Sequence, residues 1–177
     1  MDNRVLVVYA SKYGATAEIA EKIGQVLHHA GLRTDVLPTD RISDLTRYEA
    51  VVLGSAVYMG HWLDEAVEFV RRNRATLADR PVWLFSSGPL GLGSGISSVN
   101  DPKLEPKEIA ELREAIHPRD HRIFFGALDP SKLGFKHRAI RKLPAARAIL
   151  PEGDFRDWEA INSWATAIAD QLKEAVS

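Results

Sequence analysis

The chain has 177 residues, 45% of them apolar and 27% charged, with a formal net charge of −1 and no cysteine. That length and composition fit one soluble domain with a full core. The near-zero charge leaves no global field to recruit nucleic acid. Without cysteine, disulfides, iron–sulfur clusters and thiol catalysis are excluded; that fits a cytoplasmic protein and says little more about compartment. The apolar run after Met1-Asp2-Asn3-Arg4 is too short for a signal-peptide core or a membrane span.

Along the chain, strand and helix patterns alternate. Arg4 to Ala10 is a continuous valine-rich run, as in a parallel strand buried on both faces. Ile19, Ile23, Val26, Leu27 and Ala30 follow at helical spacing, with Gly31 as the stop. Further strands are expected at Thr34–Leu37, Ala50–Ser55, Pro81–Phe85 and His121–Ala127. Helical stripes are expected around Leu63–Val70, Ile109–Ile116 and Ile161–Leu172. Such alternation predicts an α/β fold, a doubly wound parallel sheet of five strands with helices on both faces. Residues 1–177 read as a single domain, with an insert at about 128–154 in the last strand-to-helix crossover. That insert and the stretch from Ser86 to about Leu104 are longer than mere connections.

In an open α/β sheet, ligands bind beyond the carboxyl ends of the strands, where strand order reverses. Three loops leave strand ends here. The first, Ser11-Lys12-Tyr13-Gly14-Ala15-Thr16, turns a strand into a helix through hydroxyls and one glycine. It aims backbone N–H groups and a helix N-terminus at one point, which suits a phosphate. The second is Ser55-Ala56-Val57-Tyr58-Met59-Gly60-His61-Trp62. The third begins Ser86-Ser87-Gly88-Pro89-Leu90-Gly91. The last two offer aromatic side chains and free backbone groups to a flat ring, with Tyr58 as the ring partner. Trp62 fits that role or a place in the core, and His61 reads as a surface or capping residue. No triad, carboxylate pair or metal-ligand cluster is apparent, so no catalytic side chain is assigned.

Ser11, Gly14 and Thr16 resemble the phosphate loop of flavodoxin-like FMN proteins. Gly54-Ser55 with Gly60-His61, Phe125-Gly126-Ala127-Leu128 and Asp157-Trp158-Glu159 resemble one branch, the menaquinone-dependent protoporphyrinogen oxidases and related flavodoxin-domain proteins. The resemblance implies strand order 2-1-3-4-5 and bound FMN as cofactor. Ser11 to Thr16 would hold the phosphate. Backbone of Ser55, Ala56, Val57, Tyr58, Met59 and Gly60, and of Ser86, Ser87, Gly88 and Gly91, would hold the isoalloxazine. It implies electron or hydride transfer through the flavin to a redox partner or small molecule. A quinone-linked, protoporphyrinogen oxidase-type enzyme is one alternative, and a non-redox, partner-binding module on the same fold is another. The chain departs from the pattern in carrying Tyr13 before the loop glycine and in being near neutral.

The insert carries Lys132, Lys136, Arg138, Arg141, Lys142 and Arg147, with no acidic residue from Ser131 to Arg147. Such a run is either a solvated face or a docking surface. As a surface it would suit an acidic partner, an anionic substrate or the headgroups of a membrane.

Overall fold

A computed structural model describes residues 4–88, 104–128 and 153–176. β1 (Arg4–Ala10) leads into α1 (Ala15–His29), then β2 (Arg33–Pro38) and β3 (Ala50–Tyr58). The short β4 (His61–Trp62), α2 (Asp64–Arg72), α3 (Arg74–Ala78) and β5 (Val82–Ser87) follow. After them come α4 (Ile109–Ile116), β6 (Asp120–Phe124), β7 (Ala127–Leu128), β8 (Gly153–Asp154) and α5 (Trp158–Glu174).

The parallel strands lie in the order β2-β1-β3-β5-β6. Counting only these parallel strands, that is the expected second-first-third-fourth-fifth arrangement. β4 is an addition: it pairs antiparallel with the end of β3, Val57 opposite Trp62 and Tyr58 opposite His61. Three expected boundaries move. β3 continues three residues past Ser55, because Ala56, Val57 and Tyr58 find partners in β5 and β4. β5 likewise runs on through Ser86 and Ser87, held by β3 and β6. The fifth parallel strand stops at Phe124 rather than Ala127; Ala127 and Leu128 pair instead with Asp154 and Gly153.

Alternation along the strands divides the core in two. Leu6, Val8, Val51, Leu53, Val82 and Leu84 face α2, α3 and α4, meeting Val67, Phe69, Leu77 and Leu112. Val5, Val7, Val52, Trp83 and Phe85 face α1 and α5, meeting Ile19, Ile23, Ile161 and Trp164. Both faces of the central strands are therefore buried, which explains their unbroken apolar runs.

Candidate functional site

The register aligns the three loops. Ala10 lies beside Ser55, Ser55 beside Ser86, and Ser87 beside Phe124, so β1, β5 and β6 end within a residue of one level, which β3 passes to enter its hairpin with β4. The ligand-side edge begins there.

In the first loop, Gly14 caps α1 with φ 94°, a left-handed conformation natural to glycine. Its amide donates to Ser11 Oγ at 3.1 Å, and its carbonyl accepts the Glu18 N–H at 3.1 Å. The amides of Ala15, Thr16 and Ala17 precede that first ladder bond and point out of the helix end. A Cβ built on Gly14 meets nothing within 4 Å, so the side of the loop that it would occupy is open. Thr16 is buried. These groups fit a phosphate: several aligned donors, a helix dipole and no carboxylate within the loop. Lys12 crosses to the second loop, its Nζ 4.4 Å from the centre of the Tyr58 ring and 5.7 Å from that of Tyr13. Burial, and then the neighbouring Tyr58, push the Tyr13 hydroxyl above the usual phenol pKa.

The second loop is a hairpin tip. Met59 (φ 54°) and Gly60 (φ 81°) both take positive φ between the paired Tyr58 and His61, the geometry of a two-residue turn that matches sheet twist. Met59 is 80% exposed at that tip. The hairpin is tied to the start of α4. Lys107 N–H donates to the Gly60 carbonyl at 3.2 Å, and Trp62 N–H to Glu108 Oε2 at 3.1 Å. Glu108 Oε1 lies 2.6 Å from His61 Nδ1. Burial pushes the Glu108 carboxyl up, but the hydrogen bonds from His61 and the Trp62 amide outweigh it and hold the group below the usual carboxylate range.

Beneath the second and third loops lies a buried polar chain. Trp62 Nε1–H donates to Ser86 Oγ at 2.7 Å, and Ser86 Oγ lies 2.7 Å from His121 Nε2. Burial drives the His121 pKa down to about 4, against the opposing pull of Glu105, so the ring is neutral. Ser, His and carboxylate in sequence do not make a nucleophile here. Ser86 has 0% exposure, and His121 Nδ1 stands 3.7 Å from Glu105 Oε1. Ser55 is likewise occupied, donating to the Ala56 carbonyl and accepting the Leu63 N–H. The third loop closes with Gly88 (φ 114°), whose N–H donates to the Phe124 carbonyl at 2.8 Å; a Cβ there would come within 3.3 Å of the Val57 carbonyl.

The structure thus brings together Ser11 to Thr16, Ser55 to Gly60 and Ser86 to Gly88. Gly91, Pro89 and Leu90 lie outside the described residues, as does the basic run 132–147. Trp62 proves to be a core residue, 2% exposed, and His61 an exposed latch. The sequence reading missed Glu108 and His121, whose partners lie 47 and 35 residues away. Among the described residues no group of acidic or histidine side chains could hold a metal, and no helix is long and apolar enough to cross a membrane.

The sequence matches the flavodoxin domain family over residues 6–148. It is 28% identical over 85 residues to protoporphyrinogen IX dehydrogenase [quinone] of Escherichia coli K12, covering 47% of each chain. The chain therefore spans about half the length of the curated relatives it matches. Among solved structures it resembles a flavodoxin from the domain Archaea, with TM-score 0.59, 18% identity and coverage of 96% of this chain and 99% of that one. It also resembles flavodoxin 1 from Bacillus cereus, at TM-score 0.58, 14% identity and coverage of 98% and 99%. Rubredoxin oxygen:oxidoreductase from Desulfovibrio gigas aligns at TM-score 0.64 and 15% identity over 99% of this chain but only 37% of that one. These structural likenesses speak to the fold.

Proposed function

Because the chain belongs to the flavodoxin domain family, whose fold implies a flavin, we propose that it binds FMN and works as a redox protein through it. One observation carries the reading: left-handed Gly14 turns the end of β1 into α1, so that the first-turn amides of α1 follow a strand end that lies level with Ser55 of β3 and Ser86 of β5. Ser11 to Thr16 would hold the phosphate. Backbone of Ser55 to Gly60 and of Ser86 to Gly88, with Gly91, would hold the ring. Bound there, the flavin supplies the electron or hydride transfer. The protein's own residues bind and orient it. The type of turn at Met59-Gly60 fixes the hairpin beside the ring position, and Trp62, Ser86 and His121 fix the floor beneath it.

The stretch shared with the E. coli dehydrogenase makes quinones and porphyrinogens the first substrates to assay. The cationic run from Lys132 to Arg147 would serve an acidic redox partner or an anionic membrane surface, with a rate that falls as salt rises. The primary test is cofactor release. Denatured protein is expected to yield FMN by chromatography, and stripped protein to take FMN back stoichiometrically. Protein that is colourless as purified and binds no FMN on titration overturns the reading.

A further inference from the structure

The neck between β8 and α5 carries a largely covered cation that the three loops do not use. The Arg156 side chain is only 9% exposed. Its Nε donates to Asp154 Oδ1 at 2.8 Å and its Nη2 to Asp154 Oδ2 at 2.6 Å, a two-pronged grip on one carboxylate. Its Nη1 donates to Glu18 Oε2, and its guanidinium lies 4.6 Å over the Trp158 ring. Hydrogen bonding to Asp154, and then to Glu18, raises the Arg156 pKa further, so it stays charged.

The position of Glu18 gives this cluster its meaning. Glu18 sits in the first turn of α1, and its amide makes the first ladder bond, to Gly14. A carboxylate there gains from the helix dipole, but it opposes any second anion at the same helix end. Asp154, Glu18 and Arg156 together leave one net negative charge; without Arg156 they leave two. We propose that Arg156 is a positioning residue for the phosphate site, screening Glu18 from a phosphate monoester at the N-terminus of α1 and so favouring the phosphorylated ligand over its dephosphorylated form. The inference rests on the reading of Ser11 to Thr16 as a phosphate loop.

A merely structural clasp would weaken both ligand forms alike, so the ratio of FMN to riboflavin affinity separates the two roles. Both flavins are titrated at low salt into wild type, Arg156→Lys, Arg156→Gln and Glu18→Gln. Arg156→Gln is expected to lower the ratio by about three- to tenfold, the range for a unit charge near a dianion in a partly exposed setting. Arg156→Lys should keep the wild-type ratio, and Glu18→Gln, which leaves Arg156 its grip on Asp154, should raise it. High salt should shrink every difference. An unchanged ratio in both Arg156→Gln and Glu18→Gln overturns the proposal, and so does an equal loss of both flavins. Should wild type bind neither flavin, the flavin reading falls on its own. Inorganic phosphate then decides, through its protection of the residue 15–18 amides from hydrogen exchange. Weaker protection in Arg156→Gln supports the role of Arg156; equal protection, or none in wild type, removes it.

Discussion

A methyl group acts by different means at two glycines, Gly54 inside β3 and Gly14 in the first loop. On Gly54 it would land 2.0 Å from Phe85 Cζ. Phe85 cannot yield, because it is fully buried and packs at 6.2 Å against Trp164 and 6.4 Å against Phe124. Gly54→Ala is therefore expected to cost at least about 2 kcal/mol of stability through overpacking, read by urea unfolding. On Gly14 the same methyl meets nothing within 4 Å. Gly14→Ala is expected to cost about 1–2 kcal/mol from left-handed backbone strain alone, with Gly14→Asn milder. The two variants should also separate in function. Gly54→Ala loses stability while its folded fraction still binds FMN, whereas Gly14→Ala loses FMN affinity by shifting the donors of α1. A calorimetric titration of each variant at a temperature where it stays folded checks this. Thr16→Val bears on the same donors: losing a charge-assisted hydrogen bond would weaken FMN by roughly 10- to 150-fold.

At the scale of elements, the β3–β4 hairpin depends on a residue far from it in sequence. Glu108 at the start of α4 accepts from the Trp62 amide at 3.1 Å and meets His61 Nδ1 at 2.6 Å. Glu108→Ala removes both contacts and leaves the Trp62 amide without that acceptor. It is expected to cost about 1–2 kcal/mol and to speed hydrogen exchange at Trp62, with Glu108→Gln in between. Exchange at Trp62 equal to wild type would show that the Gly60–Lys107 bond and the Val57–Trp62 pairing hold the hairpin alone. This is also where sequence reading runs out. The parallel strands were legible as apolar runs and α1, α2, α4 and α5 as helical stripes, with Gly31 (φ 94°) marking the end of α1; the short α3 was not expected. The hairpin was not. A two-residue turn of this type is signalled by Asn-Gly or Asp-Gly, and here the first position is Met59. Nothing local in the sequence shows that the Ser55 hydroxyl accepts from the Leu63 amide or the Ser86 hydroxyl from the Trp62 indole. Periodicity reports which face is buried; it says nothing of partners tens of residues away.

For the whole molecule, the buried polar chain sets the response to acid. His121 on β6 lies against Ser86 on β5, which holds Trp62 of β4, and Glu105 ahead of α4 faces its other nitrogen. A charge placed on that ring would have to be accommodated where three elements meet. Burial is the main reason its pKa falls from 6.5 to about 4, with the Arg113 charge adding to burial and the Glu105 and Asp120 charges opposing it. The unfolded chain takes up this proton near pH 6.5 and the folded chain only near 4. Between those values the unfolded state binds more protons, so stability rises with pH across the window. The contribution is fully present above about pH 6.5 and is lost as pH falls toward 4; the gap between the two values corresponds to about 3 kcal/mol. Urea midpoints measured from pH 7.5 down to 4.5 should therefore fall faster in wild type than in His121→Asn. The variant starts less stable, since it disturbs the contact with Ser86, but lacks the titrating ring. Because Ser86 and Trp62 frame the second and third loops, FMN affinity should weaken over the same window in wild type. A flat affinity alongside falling stability would place the chain beneath the site without coupling to it. Parallel pH slopes for wild type and variant would remove His121 as the source of acid sensitivity.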